Sequence, residues 1–179
     1  MDVLIPRPET ELLVDMAIYW AGYNAAVLDL CTGSGAIAVA LKHSRGDLSV
    51  SASDISEEAL KIAAKNSEAI LGKKRIEFLK GDLFAPFEGE KFDLIVSNPP
   101  YVSSALKGEL QRELAYEPEI ALYTGDDGRV IIRRIIEEAP AYLEEKGILL
   151  LEIGSNHRDF IEKTGKKCGF EVSVLNDYA

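Results

Sequence analysis

Short apolar runs of five to seven residues alternate along this chain with longer segments whose apolar residues recur every three or four positions. The short runs, Ala26–Leu30, 48–53, 75–79, 92–97, 147–153 and 170–175, predict buried strands. The longer segments predict helices. Leu12, Leu13, Met16, Ala17 and Trp20 form a helical stripe behind Pro8-Glu9-Thr10-Glu11, which places a proline and acids in a first turn. Further helices are expected over 36–42, over 56–70 behind Ser56-Glu57-Glu58, over 129–144 with Pro140 as a kink or stop near its end, and over 156–168. Strands alternating with helices predict an α/β protein, a doubly wound and mostly parallel sheet with helices on both faces. No repeat, low-complexity tract or linker divides the chain, so residues 1–179 read as one domain.

In such a sheet, ligands gather where the strands end. The run 92–97 ends in Ser97-Asn98-Pro99-Pro100-Tyr101. Proline fixes φ and cannot donate to a sheet ladder, so the carbonyls of Asn98 and Pro99 are presented rather than paired. Asn98 adds an amide oxygen and Tyr101 a flat face, and together they suit a planar group bearing an NH2.

The first strand enters a second informative turn, Asp29-Leu30-Cys31-Thr32-Gly33-Ser34-Gly35-Ala36. Its glycines allow close approach of a ligand to the backbone and a tight helix start. Asp54 closes the next strand about 20 residues on, the position at which a carboxylate takes the hydroxyls of a nucleotide ribose. Gly33-Ser34-Gly35-Ala36-Ile37-Ala38 also satisfies a dinucleotide fingerprint, so this turn alone leaves NAD and S-adenosylmethionine both open.

Composition narrows the classes. The net charge of −10 argues against a general nucleic-acid binder; Lys73-Lys74-Arg75 is a lone basic cluster expected in a solvated turn. No apolar stretch approaches the ~20 residues of a membrane helix, and the charged start lacks a signal-peptide pattern, so a soluble cytoplasmic protein is expected. Cys31 and Cys168 make neither a disulfide framework nor a zinc site, and His43 and His157 have no partners at ligand spacing, so no metal is expected. Cys31 precedes a helix and is either a reactive thiol or a small side chain packed beneath the loop.

Four segments carry a family resemblance: Ile5-Pro6-Arg7-Pro8-Glu9-Thr10-Glu11, the stretch from Asp29 to Ala38, Ser97 to Tyr101, and Tyr116-Glu117-Pro118 leading to Ala121-Leu122. Through them the chain resembles the class I S-adenosylmethionine-dependent methyltransferases, and most of all the protein-(glutamine-N5) methyltransferases of the HemK/PrmC type. The resemblance implies a Rossmann-like methyltransferase sheet and a peptide chain release factor as protein substrate, with no direct nucleic-acid or membrane partner. Asn98-Pro99-Pro100-Tyr101 would be the catalytic turn, holding the substrate NH2 in line with the methyl group. Asp29, Cys31, Thr32, Gly33, Ser34 and Gly35 would hold the methionine end of the cofactor, Asp54 its ribose, and Asp82 with Leu83 its adenine, with Asn98 beside it. Arg7, Glu9 and Thr10 would close over the cofactor. The pattern departs in three places: Cys31 stands where the family has the first glycine of the turn, the helical N-terminal domain has no counterpart in these 179 residues, and the final antiparallel strand is expected to be missing. Alternative readings are an adenine-N6 nucleic-acid methyltransferase, which also fits the Asn-Pro-Pro-Tyr turn, and an NAD-dependent oxidoreductase.

Overall fold

A computed structural model describes residues 9–72, 75–100 and 129–176. The elements are α1 (Glu9–Trp20), β1 (Ala26–Leu30), α2 (Ala36–Ser44), β2 (Ser49–Asp54), α3 (Glu57–Leu71), β3 (Glu77–Lys80), β4 (Phe92–Ser97), α4 (Val130–Glu138), β5 (Leu143–Leu151) and α5 (Arg158–Lys167). The five strands form one parallel sheet in the order β3-β2-β1-β4-β5. The order reverses between β2-β3 and β4-β5, which places β1 and β4 at the switch point where open α/β sheets bind ligands.

Alternation along β1 builds both layers. Val27 joins Leu13, Ala17, Ile37, Ala38, Leu41 and Val96 on the face covered by α1 and α2. Leu28 and Leu30 join Phe84, Phe87, Ile95 and Ile135 on the face covered by α4. With both faces covered, β1 and β4 are apolar on both sides apart from Asp29 and Asp93, close to the pattern of buried parallel strands. Ser56 caps α3 by accepting the Ala59 N–H at 3.2 Å.

Two expectations are corrected. The helix expected over 129–144 stops at Glu138, because Pro140 lies in a short 3-10 turn, Ala139–Ala141, that breaks the helical ladder and lets β5 begin at Leu143. Residues 170–175, expected as a sixth strand, are not part of the sheet. They lean on α5 instead: Phe170 donates its N–H to the Gly165 carbonyl at 3.0 Å, and Phe170 and Val172 pack with Ile132, Ile136 and Ile161. A cleft of about 730 Å3 is lined by residues of both β5 and this segment, Ile148, Leu150, Phe170 and Val172 among them. Among the described residues, no helix is long and apolar enough to cross a membrane.

Candidate active site

The ends of β1, β2 and β4 meet at the switch point, and side chains from each tie the others down. Ser97, the last residue of β4, donates its buried hydroxyl to the Leu30 carbonyl at 2.7 Å. Ser53 of β2 donates to the Leu83 carbonyl at 2.9 Å, and the Thr32 N–H donates to the Ser53 carbonyl at 3.0 Å. The sequence reading placed Ser97 in the turn and Ser53 at a strand end but gave neither a role. A small polar residue ending an apolar strand was the available signal, because its hydroxyl satisfies a carbonyl that the ladder no longer reaches.

The glycine turn takes three left-handed positions, Cys31 (φ 57°), Gly33 (φ 55°) and Gly35 (φ 77°). At Cys31 this conformation costs a non-glycine residue about 1–2 kcal/mol, which explains why glycine suits that position. The turn is anchored from outside. Asp54 accepts the Gly33 N–H on one oxygen and the Ser56 N–H on the other, both at 2.8 Å, and Asn66 of α3 donates to the Ser34 carbonyl at 2.9 Å. Asp54 therefore both fixes the turn and stands beside it, and each oxygen keeps a second lone pair for a ligand hydroxyl.

The two glycines differ in purpose. A Cβ on Gly35 would lie 2.9 Å from the Ala63 Cβ and 3.1 Å from its Cα, so this glycine lets α2 start against α3. A Cβ on Gly33 would meet nothing within 4 Å, so its absence leaves open space along the turn. Gly35→Ala is expected to destabilise by about 2–4 kcal/mol, from left-handed strain plus overpacking. Gly33→Ala should lose only about 1–2 kcal/mol of stability from the strain alone, and should instead weaken ligand binding. Urea denaturation and calorimetric titration of the two variants separate these effects.

Asp29 is fully buried beneath the turn. One oxygen accepts the Thr32 hydroxyl at 2.6 Å and the Ala38 N–H in the first turn of α2 at 3.2 Å; the other has no hydrogen-bond partner. Burial pushes its carboxyl up to about 7, against the pull of Thr32 and Ala38 and with help from the Asp54 charge. Cys31 feels the charges of Asp54, Asp29 and Asp82; desolvation first, then Asp54, pushes its thiol up to about 12. Of the two readings of Cys31, the reactive thiol is thus corrected: three carboxylates and poor solvation hold it as the neutral thiol.

Asp82 lies past β3 and takes both its carboxylate oxygens to Arg134 of α4 at 3.0 Å, a link across the sheet end invisible in the sequence. Leu83 beside it is buried and left-handed at φ 51°. Asn98, Pro99 and Pro100 continue directly from β4, with Pro99 buried. Asn98 donates its amide NH2 to the Thr10 hydroxyl at 3.3 Å, and Thr10 donates to Glu152 at 2.8 Å. Thr10 is therefore drawn into the catalytic turn. Tyr101, Arg7 and the segments 116–118 and 124–128 lie outside the described residues, while Glu9 lies in the first turn of α1 with one buried carboxylate oxygen unpartnered. Among the described residues, no group of three or more His, Cys, Asp or Glu is placed to hold a metal.

The arrangement is acceptor-rich and acidic around an open glycine backbone. Asp29 offers an unpartnered oxygen, Gly33 leaves open space, and Asp54 keeps lone pairs for hydroxyls. A cationic, ribose-bearing cofactor fits that donor set; the hydrogen-bond acceptors of Asn98 and Pro99 next to it fit an NH2 group.

The fold is that of a methyltransferase domain. A ribosomal protein L11 methylase from Lactobacillus delbrueckii subsp. bulgaricus superposes with a TM-score of 0.69 at 25% identity, over 96% of this chain and 74% of that one. Residues 9–125 match the family described as the methyltransferase small domain, and the chain belongs to that family. It is 47% identical over 154 residues to a release factor glutamine methyltransferase of Streptococcus pneumoniae, covering 85% of this chain and 54% of that protein. It is 42% identical over 162 residues to a ribosomal protein uL3 glutamine methyltransferase of Xylella fastidiosa (strain Temecula1 / ATCC 700964), covering 89% of this chain and 52% of that protein. The chain thus spans about half the length of these two curated relatives.

Proposed function

We propose that this chain is the catalytic domain of a cytoplasmic protein-(glutamine-N5) methyltransferase that uses S-adenosylmethionine and acts on a peptide chain release factor. Asn98 carries the reading: it stands beside the glycine turn and its amide oxygen takes no hydrogen bond from the described residues. The relatives named for glutamine methylation agree with an acceptor that recognises an amide NH2.

The cofactor, when bound, supplies an electrophilic methyl on a sulfonium. Cys31 to Gly35 and Asp29 hold its methionine end, Asp54 its ribose, and Asp82 with Leu83 frame its adenine. The protein's remaining task is to orient a weak nucleophile, because the glutamine nitrogen shares its lone pair with its own carbonyl. The Asn98 amide oxygen and the Pro99 carbonyl each accept one N–H of the substrate NH2, turning the lone pair toward the methyl. Tyr101, which lies outside the described residues, is assigned the amide plane by the family resemblance alone. Orientation of this sort supplies up to ~7–11 kcal/mol in favourable cases. Methyl transfer would replace one N–H of the substrate amide by N–CH3 and release that proton to solvent, so the chain itself would need to supply no strong base.

The test is transfer of labelled methyl from S-adenosylmethionine to purified release factor and, separately, to purified uL3, each beside a variant lacking the target glutamine. Label on the release factor that vanishes with the glutamine is expected. Label on uL3 alone would keep the chemistry and replace the substrate. Cofactor binding without label on either protein would overturn the glutamine reading.

A further inference from the structure

Three separate elements converge on Asn98. Thr10 sits in the first turn of α1, Asn98 follows β4, and Glu152 follows β5, whose end is held to β4 by a bond from the Glu152 N–H to the Ser97 carbonyl at 3.0 Å. Thr10 lies between the other two side chains and is only 6% exposed. The directions of its bonds follow from chemistry alone. A carboxylate only accepts, so the single hydroxyl proton of Thr10 goes to Glu152 at 2.8 Å. With that proton committed, Thr10 can only accept from Asn98, and the 3.3 Å contact must therefore be with the Asn98 NH2 and not its oxygen. The amide oxygen is left on the opposite side, where it takes no bond from the described residues.

We infer that Thr10 and Glu152 are positioning residues that set the polarity of Asn98: Glu152 orients the Thr10 hydroxyl, Thr10 captures the Asn98 NH2, and the amide oxygen is thereby fixed as the acceptor for the substrate. A free asparagine amide presents its oxygen or its nitrogen at similar energy. An amide turned the wrong way would set an NH2 against the substrate NH2, donor against donor, and block the productive pose. The inference rests on the proposed glutamine reading for its kinetic consequence, but not for the orientation itself.

The variants follow from the same chain of donors. Thr10→Val keeps the shape and removes the relay. It is expected to lower kcat about 10- to 30-fold, with cofactor affinity within twofold of the parent. Thr10→Ser restores the hydroxyl and should recover kcat to within about threefold. Glu152→Gln is nearly isosteric but can donate to Thr10; the Thr10 proton is then free for the Asn98 oxygen, the amide reverses, and kcat should fall at least as far as in Thr10→Val. Orientation is read without any turnover by nuclear Overhauser contacts, in nitrogen-15 labelled protein, from the Asn98 side-chain NH2 to the Thr10 methyl. These contacts should be strong in the parent and weak in Glu152→Gln, both of which keep the Thr10 methyl. Thermal melting of each variant checks that the fold is retained. Parent-like kcat in Thr10→Val, or no contact between the Asn98 NH2 and Thr10 in the parent, would overturn the inference. No methyl transfer by the parent with the contact present would sink the glutamine reading and leave the orientation standing.

Discussion

Asn98→Ala is expected to lower methyl transfer by about 10²–10³-fold, the range seen when one preorganised hydrogen-bonding group is removed from a reacting centre, while cofactor affinity changes little. The split follows from where its bonds go. The Asn98 NH2 is held by Thr10 and its oxygen faces outward, so neither contributes to the glycine turn that Asp54 and Asn66 hold from β2 and α3. Single-turnover rates and calorimetric titration with S-adenosylmethionine check both halves. Parallel loss of affinity and rate would make Asn98 a cofactor or folding residue instead of a substrate acceptor.

The second large effect is expected at Asp29, in stability. Its carboxyl sits at about 7 in the folded protein against 3.8 in the ordinary state. Below about pH 4 both folded and unfolded chains carry the proton, and the group contributes no pH dependence. Between about pH 4 and 7 the unfolded chain ionises while the folded one keeps its proton. The folded state then binds more protons, and unfolding free energy falls as pH rises. About three pH units correspond to a loss of about 4 kcal/mol by pH 8. Asp29→Asn retains an oxygen for Thr32 and Ala38 and has no charge to bury, so its unfolding free energy should lack this slope and exceed that of the parent above pH 7. Urea denaturation at pH 4.5, 6 and 8 decides; parallel slopes for parent and variant would mean that Asp29 is ionised in the fold, held by contacts stronger than its desolvation. The Asp54 charge, which also disfavours ionisation of Asp29, is common to both proteins.

How much of this was legible in the sequence depended on whether a feature was local. β1 and β4 were read with their observed limits, since each is an apolar run broken by a single aspartate, Asp29 or Asp93, and closed by Cys31 in one case and Asn98 in the other. The glycine turn and the Asp54 carboxylate were legible because strand, turn, helix and acid follow one another at fixed spacing. The segment 170–175 misled for the same reason: its apolar alternation is real, but packing against α4 and α5 satisfies it without a ladder partner. Links between distant elements left no trace. Nothing around Thr10 announces Glu152, 142 positions away, and nothing at Asp82 announces Arg134. A hydroxyl in a helix's first turn reads as capping chemistry, and only the docking of α1 between the ends of β4 and β5 gives it a different task.

The pairing of β1 with β4 has a kinetic consequence for the site. Leu28 lies opposite Ile95, so the central seam of the sheet joins residues 67 apart, whereas β1 pairs with β2 across a connection of about a third of that length. Closing the longer loop carries the larger entropic cost and must precede the contacts that offset it. β1, β2 and α2 form a locally connected unit that contains the glycine turn and Asp54 but no Asn98. The cofactor half of the site is therefore built from short-range contacts, whereas the acceptor half depends on the longer-range seam. A chain in which β1 and β2 had paired before β4 docked would hold the cofactor half of its site without the acceptor half.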